Sequence, residues 1–235
     1  MKYVISLFEL DSNELEEIFL CAADLKERTE SGIRDPLLNQ RVIALIFEKP
    51  SLRTRVSFET AMIHLGGSSL FLMAEEVGLG HRESVPDFAR VLGSYVDGVV
   101  LRTFSHALQV EFARHSQVPV INGLSDLYHP CQILADLMTI KEHKKNLKKI
   151  KIAWIGDGNN VCNSLILGCS KLKIKISVAT PDGFEPSNVA VSTAKLHTDI
   201  EITNDPIKAV EDADVVMTDT FVSIHNTDKE RLEKF

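Results

Sequence analysis

Glu48-Lys49-Pro50-Ser51-Leu52-Arg53-Thr54-Arg55 gathers hydroxyl and guanidinium groups between an apolar run, Val42 to Phe47, and the start of a helical pattern. The first amides of a helix lack intrahelical partners and the dipole is positive there, so this segment suits an anion such as phosphate. Ser51, Arg53 and Thr54 would add side-chain donors; the plainer alternative is a Ser51 cap beside solvated arginines. Arg102, closing the run Val99 to Leu101, is placed to meet an anion or simply to face solvent. In Tyr128-His129-Pro130-Cys131-Gln132, Pro130 fixes the backbone before another helix. His129 and Gln132 carry donors of the kind that stabilise charge on an acyl oxygen, although a histidine at a helix start serves equally as a cap. Trp154-Ile155-Gly156-Asp157-Gly158-Asn159-Asn160 opens like a dinucleotide-binding turn, but Val161 stands where a third glycine is required and no acid ends the next strand. That argues against a nicotinamide site and leaves Asn159 and Asn160 to read a small polar ligand. Asp219, in Met217-Thr218-Asp219-Thr220-Phe221-Val222-Ser223, suits an ammonium group or a cap.

In open α/β sheets ligands lie at the carboxyl ends of strands, so these loops must be carried by strand–helix units. The hydrophobic pattern supplies them. Leu15, Ile18, Phe19, Ala22 and Leu25 recur at helical spacing behind an Asp11–Glu14 cap. Strands are expected at 42–47, 69–73, 99–101 and 118–121, with helices over 53–65, around Phe88 to Tyr95, around Leu108 and Phe112, and from Gln132 to His143. The polar stretch Gly78 to Glu83 reads as a mobile loop without apolar anchors. Lys144 to Lys149 reads as a solvated connector and sets the expected boundary, giving domains 1–143 and 150–235. Beyond it, strands at 151–155, 174–178 and 214–217 alternate with helices around Leu165, Ala190 and Ala209. The expected class is α/β: two open parallel-sheet domains with helices on both faces, the second incomplete.

Composition narrows the function. The chain has 235 residues, long enough for one large or two small cores, with 44% hydrophobic and 25% charged residues, the balance of a globular protein. With 33 acidic against 26 basic residues the net charge is -7, which gives no general attraction to nucleic acid or to an anionic membrane surface. No apolar run is long enough to span a bilayer. The four cysteines form no C-x-x-C pair and no signal core precedes them, so disulfides, zinc and secretion are disfavoured and a cytoplasmic location is expected.

Taken in order, Phe47 to Glu59, Leu101-Arg102-Thr103, His129-Pro130-Cys131-Gln132, Gly156 to Asn160 and Asp219 to Ser223 resemble the aspartate/ornithine carbamoyltransferase family along nearly the whole chain. The Gly-Asp-Gly-Asn-Asn turn and Asp219 to Ser223 point to its ornithine branch. The resemblance implies transfer of a carbamoyl group from carbamoyl phosphate to the δ-amine of L-ornithine, with no metal or organic cofactor. It implies that Ser51, Leu52 through its amide, Arg53, Thr54 and Arg102 hold the phosphate, and that His129, Gln132 and Arg102 polarise the carbamoyl oxygen. Asn160, Asp219, Ser223 and Ile224 would bind the amino-acid end of ornithine. It further implies an active site between the domains, completed within a homotrimer or a multiple of it by the loop at Gly78 to Glu83. Leu52 replaces the usual Thr, and the same Leu occurs in relatives acting on N-acylated ornithines, so acylated substrates stay open, as does a catalytically dead binding relative. Gly78 replaces a Gln or His, and Ile224-His225-Asn226 departs from the usual sequence after Ser223. The family continues for roughly another seventy residues, with a His-Cys-Leu-Pro motif, so the chain is expected to be a fragment or a truncation.

Overall fold

The computed structural model describes residues 3–144, 146–221, 231 and 234–235. The chain divides into two compact units, Met1–Cys131 and Gln132–Phe235.

The first unit is built on five parallel strands, β1 (Tyr3–Val4), β2 (Val42–Phe47), β3 (Ser68–Met73), β4 (Gly98–Arg102) and β5 (Val120–Leu124), in the order β1-β5-β4-β2-β3. Its helices are α1 (Ser12–Glu30), α2 (Leu52–His64), the single turn α3 (Ala74–Val77), α4 (Val85–Gly93) and α5 (His106–His115). α1 starts where the sequence places it: Asp11 accepts from the amides of Asn13 and Glu14, and Glu14 accepts from the Asp11 amide at 2.9 Å. Alternation along the strands divides the core between the two faces of the sheet. Leu45, Phe47 and Val100 pack on one face with Phe58 of α2, while Ala44, Ile46, Val99 and Leu101 pack on the other with Ala89 of α4 and Phe112 of α5. β2, flanked by β3 and β4 and buried along Ala44 to Phe47, reads as an uninterrupted apolar run for that reason.

The second unit holds α6 (Pro130–His143), whose first two residues still belong to the first, then β6 (Lys151–Ile155), α7 (Asn160–Leu172), β7 (Lys175–Ala179), α8 (Asn188–Ala194), β8 (Ile200–Thr203), α9 (Pro206–Val210) and β9 (Val215–Met217). Its sheet is parallel in the order β8-β7-β6-β9, with helices on both faces, as expected. The contact division assigns most of α6 to this unit, whereas the boundary expected at the lysine run places the whole helix in the first.

Four elements go beyond the sequence reading: β1, α3, the 3-10 turn Leu147–Lys149 and β8. One expectation is corrected. The stretch from Gly78 to Glu83 is anchored, because Leu79 is only 3% exposed and belongs to the core beneath α4, and Leu79 also bridges to Glu83. Gly78 ends α3 in the left-handed region (φ 70°), where a Cβ would also press on the Arg82 side chain at 2.7 Å. Among the described residues no helix is long and apolar enough to cross a membrane.

Candidate functional site

Each sheet has one place where chain direction reverses. In the first, β2 is followed by β3 on one side, and the chain then returns to lay β4 on the other. The loops leaving β2 and β4 therefore part around a crevice at their carboxyl ends, where ligands of open sheets bind. Phe47 and Arg102 are paired at that edge, so Ser51 to Thr54 and Arg102 arrive there together.

Ser51 is the N-cap of α2, in extended backbone, with its hydroxyl accepting from the Thr54 amide at 3.3 Å and donating to Thr54 Oγ1 at 2.9 Å. Arg102 Nη1 donates to the same Thr54 Oγ1 at 3.4 Å. Burial, and then the charge of Arg53, hold the Arg102 guanidinium below its ordinary pKa. Its Nε is buried with no protein partner among the described residues. A half-buried cation facing a second cation, at a helix N-terminus, is an arrangement that an arriving anion relieves. Arg53 itself is exposed, and so is Leu52, at 81%. Ser51 thus caps the helix, and its hydroxyl also belongs to the group it forms with Thr54 and Arg102. The surrounding loops are tied down. The Glu48 amide donates to the Arg102 carbonyl at 2.8 Å, the Glu48 carboxylate accepts from the Phe104 amide, and Lys49 Nζ lies 4.0 Å from the centre of the Phe104 ring.

His129 follows β5 in a turn held from within. The Asn122 amide donates to the carbonyls of Ile5 (2.8 Å) and Tyr128 (3.2 Å), and Ser125 Oγ donates to the Tyr128 carbonyl at 3.2 Å. His106 Nδ1 lies 3.1 Å from Ser125 Oγ, with its ring edge-on to Tyr128. Burial lowers the His106 pKa against the opposing pull of Glu9 and Asp126, and burial pushes the Tyr128 phenol up to about 12. Burial likewise pushes the Cys131 thiol up to about 12, and its Sγ donates to the Asn122 carbonyl at 3.4 Å.

The second sheet repeats the reversal. β6 leads to β7 and β8 on one side, and β9 closes on its other side, so the loops after β6 and β9 part around a crevice. Asn159 caps α7, its oxygen accepting from the amides of Val161 (3.0 Å) and Cys162 (3.1 Å), while its Nδ2 donates to Asp219 Oδ2 at 3.0 Å. Asn160 is the first residue of α7. The Trp154 indole donates to the Asp157 carbonyl at 3.0 Å and fixes the turn, and Arg231 pairs with the Asp157 carboxylate at 2.5 Å. Gln132, exposed on the first turn of α6, donates to Asp136 at 3.0 Å. Burial raises the Asp136 pKa, the Gln132 bond lowers it, and the charge of Asp219 raises it further.

Within the first unit the structure brings Ser51, Arg53, Thr54 and Arg102 to one crevice; within the second it brings Asn159 and Asn160 to Asp219. Ser223 and Ile224 lie outside the described residues. Nothing in the sequence pattern marks Asn159 as the partner of Asp219 or Asp136 as its charged neighbour. The Asn-Asn pair was visible in sequence, but only the sheet order shows which of the two caps the helix.

Two family models divide the chain: the carbamoyl-P binding domain of aspartate/ornithine carbamoyltransferase matches residues 2–142, and the Asp/Orn binding domain of the same family matches 148–235. An ornithine carbamoyltransferase of Cenarchaeum symbiosum is 51% identical over 97% of this chain and 75% of its own length. That of Bacillus subtilis is 45% identical over 100% and 74%. The solved ornithine carbamoyltransferase of Pyrococcus furiosus superposes with a TM-score of 0.95 at 41% identity, covering 100% of this chain and 77% of that one. The chain spans about three quarters of the length of these relatives. Sheet order, the cradle at the first crevice and these matches agree: the chain belongs to the aspartate/ornithine carbamoyltransferase family.

Proposed function

We propose that this chain transfers the carbamoyl group of carbamoyl phosphate to the δ-amine of L-ornithine, giving L-citrulline and phosphate. The observation that carries the reading is the contact among Ser51, Thr54 and Arg102 at the first crevice, where two hydroxyls and a desolvated guanidinium meet a helix start. Residues 1–143 form the carbamoyl phosphate domain and 150–235 the ornithine part. Ser51, Arg53, Thr54, Arg102 and the Leu52 amide hold the phosphate. His129, Gln132 and Arg102 donate to the carbamoyl oxygen as it gains charge; the Gln132 amide, which gives one hydrogen to Asp136, has a second to offer. Asn160, Asp219, Ser223 and Ile224 take the amino-acid end of ornithine, with Asp219 on its α-ammonium. The neutral δ-amine attacks the carbonyl carbon, the C–N bond forms, the C–O bond to phosphate breaks, and the nitrogen sheds a proton. Catalysis of this kind needs alignment and oxyanion stabilisation rather than a covalent enzyme intermediate.

The finer reading is a cytoplasmic homotrimer acting in arginine biosynthesis. Supporting self-association, Leu52, Val56 and Ile63 of α2 and Leu70 of the edge strand β3 are each at least 48% exposed. Sedimentation at micromolar concentration tests it, a trimer being the expected result.

The function is tested by measuring citrulline formation beside calorimetric binding of carbamoyl phosphate. Turnover with ornithine supports the reading. Binding without turnover identifies a catalytically dead relative, and turnover only with N-acetylornithine identifies an acylated acceptor, for which the open flank at Leu52 leaves room.

A further inference from the structure

β4 and β5 pair in step from Val99↔Val120 to Leu101↔Asn122, and then Arg102 pairs with Leu124. Gly123 is the extra residue, a bulge directly beside Arg102. Bulges bend a strand and change where its neighbouring side chains point. The position admits no side chain easily: a Cβ at Gly123 would lie 3.1 Å from Val100 Cγ1, 3.3 Å from the Leu101 carbonyl oxygen and 3.6 Å from Thr54 Cγ2. The last of these belongs to the cradle.

Across the bulge the Thr103 amide still donates to the Leu124 carbonyl at 3.0 Å, and a side chain adds further bonds to the same stretch. Gln109, on α5 and fully buried, places Nε2 3.3 Å from the Leu101 carbonyl, 3.0 Å from the Leu124 carbonyl and 3.0 Å from Thr103 Oγ1. One amide thus holds the residue before Arg102, the residue after it, and its partner across the bulge. Thr103 Oγ1 in turn donates to the Ser105 carbonyl at 3.0 Å, just before α5 begins. The arrangement is costly, because Gln109 Oε1 is buried with no protein partner among the described residues. An apolar residue at this buried position of α5 would avoid that cost but would leave the Leu101 carbonyl and the Thr103 hydroxyl without this donor.

We propose that Gln109 and Gly123 are positioning residues for Arg102: the bulge turns the end of β4 and the Gln109 amide locks it, so that the guanidinium meets Thr54 Oγ1 and the bound phosphate group. The inference rests on Arg102 being a carbamoyl phosphate ligand. The test uses the full chain and calorimetric titration with carbamoyl phosphate, for Gln109→Met and Gly123→Ala, each alone and combined with Arg102→Ala. With Arg102 present, each substitution weakens binding about tenfold, within the range of coupled neighbours. In the Arg102→Ala background neither weakens it further. Thermal melts establish that each variant is folded, and if Gln109→Met is not, Gly123→Ala, on the other strand, decides alone. Unchanged affinity in the folded variants, or an equal loss with and without Arg102, overturns the proposal while leaving the site assignment standing. A wild-type chain that binds no carbamoyl phosphate overturns both.

Discussion

The two crevices hold the same topological position and opposite electrical characters. At the first, a helix start, two hydroxyls and the guanidinium groups of Arg53 and Arg102 converge. At the second, Asn159, Asp219 and Asp136 present amide and carboxylate groups, and Arg231 is paired with Asp157. Sheet order decides where a ligand sits; the residues at the strand ends decide the sign of what it presents. The helices leading away differ as well. α7 is buried continuously from Cys162 to Ser170, whereas α2 buries only Met62 and exposes Leu52, Val56 and Ile63. The second crevice thus stands on a helix packed on all sides, the first on one packed on a single face.

The sharpest way to break this contrast is through stability. Leu165→Ala, in the buried stretch of α7, is expected to cost about 2–5 kcal/mol, and Ile63→Ala on the open face of α2 less than about 0.5 kcal/mol, by denaturant unfolding. Comparable losses would mean that α2 is covered in solution. Next in size is the pair of arginines. Arg102→Ala should weaken carbamoyl phosphate binding by about 2–3 kcal/mol, because the group is half-buried and hydrogen-bonded within the cradle. Arg53→Ala should cost about 1 kcal/mol, since that side chain is solvated; calorimetry giving the reverse order would move the centre of the cradle outward. At the second crevice, Asp219→Asn should raise the ornithine dissociation constant about tenfold and leave that of carbamoyl phosphate unchanged. An equal effect on both would make Asp219 structural, through Asn159. The smallest effect concerns pH. The folded-state pKa of His106 is depressed, so its contribution to stability is present above the ordinary 6.5 and is lost as pH falls from there through the folded value. His106→Gln should flatten that part of the pH–stability profile, measured by thermal melts.

The strands that sequence places best are those flanked and covered on both faces. β2 and β6 fall on the expected residues because burial leaves an unbroken apolar run. β8 escapes notice because it is an edge strand of four residues: Ile200-Glu201-Ile202-Thr203 does alternate, but over too short a run to stand out from a loop. In the cradle, Ser51, Arg53 and Thr54 are adjacent in sequence and could be read there as a group. Gln109 and Asn122 could not: both are buried polar residues whose partners are backbone carbonyls that only the folded sheet brings near. Leu79 was hidden for the converse reason, a single apolar anchor set among glycines and charged residues.

Pairing of Tyr3 and Val4 with Val120 and Ile121 also has a consequence for the order of events during synthesis. A ribosome releases β1 long before its partner strand exists, and the intervening helices and three strands can assemble first. The Ile5 carbonyl must likewise wait for the Asn122 amide. Closing so long a loop is entropically expensive and slows folding. β1 is therefore the natural last piece of the first unit to dock, and until it does β5 presents an open edge to any neighbouring nascent chain.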